Sequence, residues 1–213
     1  MNSGQTSTLS LKADKLGCVR NDFELFSQLS FNLSPGELIQ IEGTNGSGKT
    51  SLLRILCGLS MPAEGRVLWN EQAIESCRAD FYASMAYVGH QNGLKSNLTC
   101  EENLRASAIN NQLKTDYDIE DALAVMHVDD LIDEYAGKLS AGQQRRVALT
   151  RLLITEAPLW ILDEPFTAID HHSRERLEQL FDQHCQQGGM IILTTHHQLN
   201  IANTPVKLIR IDT

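Results

Sequence analysis

Basic residues are in short supply in this chain. Its 18 Lys and Arg face 27 Asp and Glu, a formal net charge of −9. No basic stripe runs along it, which argues against duplex DNA or RNA as the main partner, because nucleic-acid phosphates are met by clustered Lys and Arg. Cysteine is sparse as well: Cys18, Cys57, Cys77, Cys100 and Cys185 are scattered, odd in number and without a C-x-x-C pair. That pattern argues against a disulfide framework or a zinc site and suits a reducing compartment. No run approaches the ~18 apolar residues of a membrane helix, and Met1 to Ser10 is polar with no apolar signal core. The expectation is a chain that does not span a membrane and reaches one only through a partner. Internal repeats, low-complexity tracts and linkers are absent too. What remains is 213 residues with 42% hydrophobic and 21% charged content, enough for one domain with a sizeable core.

The periodicities describe an α/β chain. Leu38 to Glu42 reads as a strand, followed by a glycine-rich loop and by Ser51 to Cys57 with apolar residues at helical spacing, stopped by Gly58. Gly65 to Trp69 and Ala86 to Val88 read as further strands. From Thr99 to Ala136 the character changes: Thr99 with Glu102 forms a capping-box pattern, Ile119, Leu123 and Met126 share a helical face, and Leu131, Ile132 and Tyr135 continue the apolar pattern. Ser140 with Gln143 is a second capping box, opening a helix to about Thr155. This is a helical lobe set into the α/β core. Leu159 to Leu162 suits a buried parallel strand, Leu177, Leu180, Phe181 and Cys185 mark a helix ending at Gly188-Gly189, and Met190 to Thr195 and Val206 to Ile211 complete the strands.

Gly43-Thr44-Asn45-Gly46-Ser47-Gly48-Lys49-Thr50 lies between a strand and a helix, the context that turns Gly-x-x-x-x-Gly-Lys-Thr from a string match into a phosphate site. Backbone N–H groups must converge on phosphate oxygens, which requires absent or small side chains at Gly43, Gly46 and Gly48. The following helix, opened by Thr50 and Ser51, aims its positive end at the anion. Lys49 supplies a mobile charge at the β- and γ-phosphates, and Thr50 a hydroxyl ligand for Mg²⁺. A plain glycine-rich turn is the alternative, and both flanking elements count against it. Trp160-Ile161-Leu162-Asp163-Glu164 is an apolar strand ending in two carboxylates. Asp163 can hold Mg²⁺, and Glu164, one residue on, can polarise the attacking water.

Leu139-Ser140-Ala141-Gly142-Gln143 is the most discriminating motif. It resembles the signature sequence of ATP-binding cassette proteins, and it stands between the phosphate loop and the acidic strand end, in family order. The resemblance covers nearly the whole chain. Gln91 in Val88-Gly89-His90-Gln91 is similar to the family's Q-loop, Thr167-Ala168-Ile169-Asp170 to its D-loop, and His196 to its switch histidine, preferred over His197 because it directly follows the strand.

The resemblance implies a P-loop NTPase fold of cassette type over residues 1–213: a RecA-like core, an N-terminal antiparallel β part and a helical subdomain at about 99–155. It implies an ATPase that works as an ATP-dependent homodimer. Two ATP molecules lie between two copies, each γ-phosphate meeting Lys49 of one and the Ser140, Gly142 and Gln143 helix start of the other. Gln91 is then a sensor of Mg²⁺ and water that links the site to a membrane partner. Asp170 joins the nucleotide contacts, His196 meets the γ-phosphate, and Glu164 is the base or water positioner.

Two positions depart from the family pattern. Ala141 replaces the first signature glycine, which a helical backbone tolerates. Where the family stacks adenine on an aromatic residue upstream of the loop, this chain has Arg20, whose guanidinium plane can stack on a base, with Phe23 nearby. Between Gly43 and Ser140 there are fewer than 100 residues, so no coiled-coil arm is inserted, and no regulatory domain is expected after Thr213. The wording around the motifs, such as Leu139 to Leu149 and Leu159 to Ala168, resembles the ATP-binding subunits of bacterial cytochrome c maturation, the haem exporter branch. That implies a CcmB-like integral membrane partner with CcmC-like and CcmE-like proteins nearby, peripheral placement on the cytoplasmic face of the inner membrane, and hydrolysis that energises haem delivery. The alternative is a non-transport cassette ATPase such as an iron–sulfur assembly factor.

Overall fold

The computed structural model describes residues 9–108 and 118–211. The 109–117 part of the expected helical lobe and the chain ends lie outside the described residues. Two sheets form. The first is antiparallel, in the order β2-β1-β4-β5, from β1 (Leu11–Arg20), β2 (Phe23–Leu33), β4 (Glu64–Trp69) and β5 (Gln72–Ala73). Its hairpins turn on two residues each. Asn21 and Asp22 sit at φ 49 and 65, Asn70 and Glu71 at φ 50 and 65. Such left-handed pairs give the turn whose twist matches that of the flanking strands, and Asn and Asp tolerate them best.

The second sheet is parallel, in the order β6-β7-β8-β3-β9, from β3 (Leu38–Glu42), β6 (Met85–Val88), β7 (Leu159–Asp163), β8 (Met190–Thr194) and β9 (Val206–Arg210). Its central strands are apolar on both faces because both faces are covered. Trp160, Leu162, Ile191 and Leu193 face the helical side, with α5 (Ala141–Ile154) and α6 (His171–Gln186). Leu159, Ile161, Met190, Ile192, Ile39 and Ile41 face α1 (Lys49–Leu56) and the antiparallel sheet. Every residue of β7 is buried. Each such side chain contributes about 1.5–3 kcal/mol by leaving water, so the height of Asp163 in the sheet is set by the packing of its whole strand. Truncating Ile161 to Ala would cost about 2–5 kcal/mol.

Besides α2 (Arg78–Ala83), which leads into β6, the helical lobe comprises α3 (Cys100–Ala108), α4 (Ile119–Val125) and α5. Both expected capping boxes form. Thr99 N–H donates to Glu102 Oε2 at 2.9 Å and Glu102 N–H to Thr99 Oγ1 at 3.1 Å. Ser140 and Gln143 exchange the same pair of bonds, with Ser140 as N-cap of α5. The apolar pattern beyond Met126 does not continue as a helix. His127 turns left-handed at φ 53, a single 3₁₀ turn spans Asp129–Leu131, and Tyr135 is exposed. Met126 and Val128, on either side of His127 in sequence, are both buried in the core.

Candidate active site

The carboxyl ends of β3, β7 and β8 converge, as parallel sheets arrange their ligand sites. There they border a cleft of about 480 Å³. From the phosphate loop and α1 it is lined by Asn45, Gly46, Gly48, Lys49, Thr50 and Ser51, from the end of β7 by Asp163, just past it by Glu164, and after β8 by His196. The loop has the form of a cradle. Gly48 is the N-cap of α1 at φ 102, a value reserved in practice for glycine. A Cβ at Gly43 would lie 2.4 Å from Ser47 Oγ and 2.6 Å from the Ile211 carbonyl oxygen, so that position admits no side chain. Lys49 Nζ donates to the carbonyls of Gly43 and Thr44 at 2.8 and 3.0 Å, which holds the ammonium against the loop. Gly43, Thr44 and Ser47 form the loop's frame and stand outside the cleft lining.

The acidic pair is held from two neighbouring elements. Thr50 Oγ1 on α1 donates to Asp163 Oδ2 at 2.9 Å, and Thr194 Oγ1 on β8 donates to Asp163 Oδ1 at 2.8 Å. Glu164 has a left-handed backbone at φ 49. Its N–H meets both Oγ1 and the carbonyl of Thr194, at 3.0 and 3.2 Å. Its carboxylate oxygen Oε1 is buried without a hydrogen-bond donor among the described residues and faces His196 Nε2 at 3.5 Å. A half-buried carboxylate at the wall of a cleft, with an imidazole opposite it, is placed to accept a proton or a water hydrogen.

The polar atoms present fit a nucleotide polyphosphate and a hard divalent ion. Glycine backbone and Lys49 suit the anion, while the Thr50 hydroxyl beside the Asp163 carboxylate is an all-oxygen donor set of the kind Mg²⁺ takes. Ser47 Oγ, buried and without a partner among the described residues, lies within the same loop.

Other expected site residues are spread more widely. Arg20 lines the far end of the cleft with Leu25, whereas Phe23, 73% exposed, does not. His90 lines it too; Gln91, the neighbour singled out from sequence, is exposed and outside the lining. Ser140, Gly142 and Gln143 at the start of α5, and Asp170 at the start of α6, also lie outside it. Asp170 caps α6, accepting from Ser173 N–H at 2.8 Å, and that bond is the main reason its carboxyl is held below the usual range. Gly142 packs against the D-loop: a Cβ there would come within 2.6 Å of the Ala168 carbonyl oxygen, while Ala141 is exposed. The departure from the signature pattern therefore falls on the position with room for a methyl group.

Sequence reasoning passed over two residues. Thr194 was read only as strand, although an apolar run that ends in two threonines is a signal that their hydroxyls have buried partners. Arg145 was read only as helix. Its spacing to Leu149 and Leu152 puts a guanidinium on the apolar stripe of α5, and it is 3% exposed.

The ABC transporter family matches residues 26–167. The "Cytochrome c biogenesis ATP-binding export protein CcmA" of Methylococcus capsulatus is 48% identical over 90% of this chain and 93% of its own length. The protein of the same name from Escherichia coli is 48% identical over 93% and 95%, and that from Colwellia psychrerythraea 44% over 99% and 96%. Among solved structures, a putative ABC transporter ATP-binding protein from Pyrococcus furiosus superposes with a TM-score of 0.80 at 24% identity, covering 95% of this chain and 97% of that one. A dimeric bacterial ABC transporter cassette gives 0.79 at 23%, covering 95% and 94%. These two share the fold.

Proposed function

The chain belongs to the ABC transporter family and, within it, to the CcmA group of ATP-binding export proteins, and on that premise we propose that it is the ATP-hydrolysing subunit that energises haem delivery for c-type cytochrome biogenesis. The observation that carries the chemistry is the meeting of Lys49, Thr50, Asp163, Glu164 and His196 in one cleft. As a member of the family the protein binds ATP and hydrolyses it to ADP and phosphate.

In the proposed reaction, the phosphates lie on the Gly43 to Thr50 loop, with Lys49 balancing their charge. Mg²⁺, held by Thr50 and Asp163 with Gln91 as a further ligand, would neutralise charge on the phosphate oxygens. Glu164 orients a water and takes its proton as the water oxygen bonds to the γ-phosphorus and the bond to the bridging oxygen of ADP breaks. His196 steadies the transferred phosphoryl oxygens. Arg20 stacks on the base. Ser140, Gly142, Gln143 and Asp170 serve the nucleotide held by a second copy, through the exposed N-terminus of α5, where free N–H groups suit a phosphate. ATP then acts as a ligand of the closed dimer and shifts the equilibrium towards it.

Residues 1–213 act as one ATP-binding domain, with about 99–155 as its helical subdomain. No helix among the described residues is long and apolar enough to cross a membrane. Attachment to the cytoplasmic face of the inner membrane would come through a CcmB-like subunit, with CcmC-like and CcmE-like proteins in the same system.

Two measurements test this. Glu164→Gln is expected to keep ATP affinity, to lose at least ~100-fold in turnover and to accumulate as a nucleotide-bound dimer; undiminished turnover would remove Glu164 from the reaction. Affinity purification from detergent-solubilised membranes is expected to recover a multi-spanning subunit. Recovery with soluble iron–sulfur scaffold proteins alone would overturn the transport reading.

A further inference from the structure

Arg145 leaves α5 one turn after its exposed N-terminus and runs inward beneath the acidic pair. A guanidinium has five N–H donors in one plane, and here each has an acceptor. Nη2 donates to the carbonyls of Asp163 and Glu164 at 2.7 and 2.9 Å, and Nε to that of Pro165 at 3.4 Å. Nη1 donates to the carbonyl of Gly89 at 2.7 Å and to Asn92 Oδ1 at 3.2 Å. One side chain thus joins three segments distant in sequence: the signature helix, the peptide run from Asp163 to Pro165, and the turn that carries His90 and Gln91.

Glu164 makes this joining consequential. Its left-handed backbone at φ 49 is unfavourable for a non-glycine residue and persists only where its surroundings over-determine it. Thr194 holds the N–H of Glu164, and Arg145 holds its carbonyl at 2.9 Å together with the Thr167 N–H at 3.2 Å. Both ends of the residue that bears the hydrolytic carboxylate are therefore clamped, one from β8 and one from α5. None of the five acceptors is a carboxylate. The guanidinium fixes the path of the backbone and leaves the Glu164 side chain to face His196 at the cleft wall, 3.5 Å from Oε1 to Nε2.

We propose that Arg145 is the positioning residue for Glu164 and for the Gly89–Asn92 turn, setting the carboxylate's aim and binding it to the orientation of the signature helix. In this arrangement, a tilt of α5 moves Glu164 of the same chain. The inference rests on Glu164 acting on the water, as argued above. Lysine cannot replace the fork: three donors on a tetrahedral nitrogen reach at most part of a planar set of five.

Arg151 supplies the comparison. It is a half-buried arginine further along α5, its Nη2 donates to the Asn92 carbonyl, and among the described residues it has no bond to the acidic pair. Steady-state ATPase kinetics with Arg145→Lys and Arg151→Lys, alongside their melting temperatures, separate positioning from support. Arg145→Lys is expected to lower kcat at least ~10-fold with KM within ~3-fold, because small misplacements of catalytic groups are costly while the phosphate loop is untouched. Arg151→Lys is expected to keep kcat within ~3-fold at a similar loss of melting temperature. Arg145→Gln replaces Arg145→Lys if the latter does not fold.

A double-mutant cycle with Glu164→Gln decides whether the effect passes through Glu164. If it does, Arg145→Lys has little further effect on the residual turnover of Glu164→Gln. The same full fold-loss in both backgrounds, or equal kcat losses in Arg145→Lys and Arg151→Lys, overturns the proposal while leaving the role of Glu164 intact. Full turnover in Glu164→Gln alone overturns that role, and this inference with it.

Discussion

Consider Thr194→Val, a substitution that keeps shape and strand preference and removes one hydroxyl. In the fold that hydroxyl donates to Asp163 Oδ1 at 2.8 Å and accepts from Glu164 N–H at 3.0 Å, and Thr194 and Asp163 are both buried. A hydrogen bond to a charged group contributes about 1.5–3 kcal/mol. The second bond is worth less, about 0.5–1 kcal/mol, because Glu164 N–H keeps the Thr194 carbonyl at 3.2 Å. Asp163 also keeps Thr50 on its other oxygen. The expected loss is about 2–4 kcal/mol, a large share of a typical folding stability. For a chain of this size that lowers the melting temperature by about 5–15 °C. Differential scanning calorimetry measures it. Thr195→Val is the control, since among the described residues the Thr195 hydroxyl bonds only to His197 N–H, from which it accepts, and its loss is expected to be about 1 kcal/mol. A shift below ~2 °C for Thr194→Val, or equal shifts for the two variants, refutes the reasoning. It would mean that the buried carboxylate does not depend on β8 for its second partner.

Three further outcomes follow from the geometry. Gly142→Ala drives a Cβ to 2.6 Å from the Ala168 carbonyl oxygen and is expected to destabilise by about 1–3 kcal/mol from overpacking, less up to ~1 kcal/mol of helix propensity. Ala141→Gly removes an exposed methyl group and is expected to cost no more than ~1 kcal/mol; urea unfolding of the pair reports the asymmetry. Arg20→Ala is expected to weaken ATP binding several-fold, with Phe23→Ala unchanged, in a fluorescent-nucleotide titration; equal affinities in both variants would remove Arg20 from base recognition. Asp170 has its pKa lowered from 3.8 by the Ser173 N–H. Because the folded value is the depressed one, its stabilisation is present above the unfolded pKa and is lost as pH falls through the folded one. The stability gap between wild type and Asp170→Asn is therefore expected to be constant from pH 7 to about 5 and to close below about pH 4. A gap that widens on acidification contradicts the assignment.

Local chemistry explains what was readable beforehand. The phosphate loop is a backbone-conformation demand, and only glycine meets it, so Gly43, Gly46 and Gly48 announce it. Both capping boxes are contacts over three residues, and both formed at Thr99 and Ser140. The limits of β3 and β7 and the end of α6 follow from apolar runs and glycine stops, while the start of α6 at His171 lies six residues before the first apolar position that marks the helix, Leu177. Local pattern failed where the chain kinks: past Met126 the apolar spacing persists through Leu131 and Ile132, yet His127 breaks the helix, because burial there is met by a turn rather than by a helical face.

The sequence by itself determined which groups the proposed chemistry calls on, for a phosphate loop and an acidic strand end each require residue types at fixed short spacing. Only the tertiary structure decided how they are brought together. Nothing local to Leu159–Asp163 or Leu38–Glu42 says that β8 lies between them, so Thr194 had no visible reason to be polar until the strand order put it beside Asp163. Nothing local to α5 says that the carbonyls of Gly89, Asp163, Glu164 and Pro165 all face one point, so Arg145 read as one more helix residue. Short-range patterns record the demands a segment makes on its own backbone. The partners that satisfy a buried donor come from elsewhere in the chain, and those appear only once it has folded.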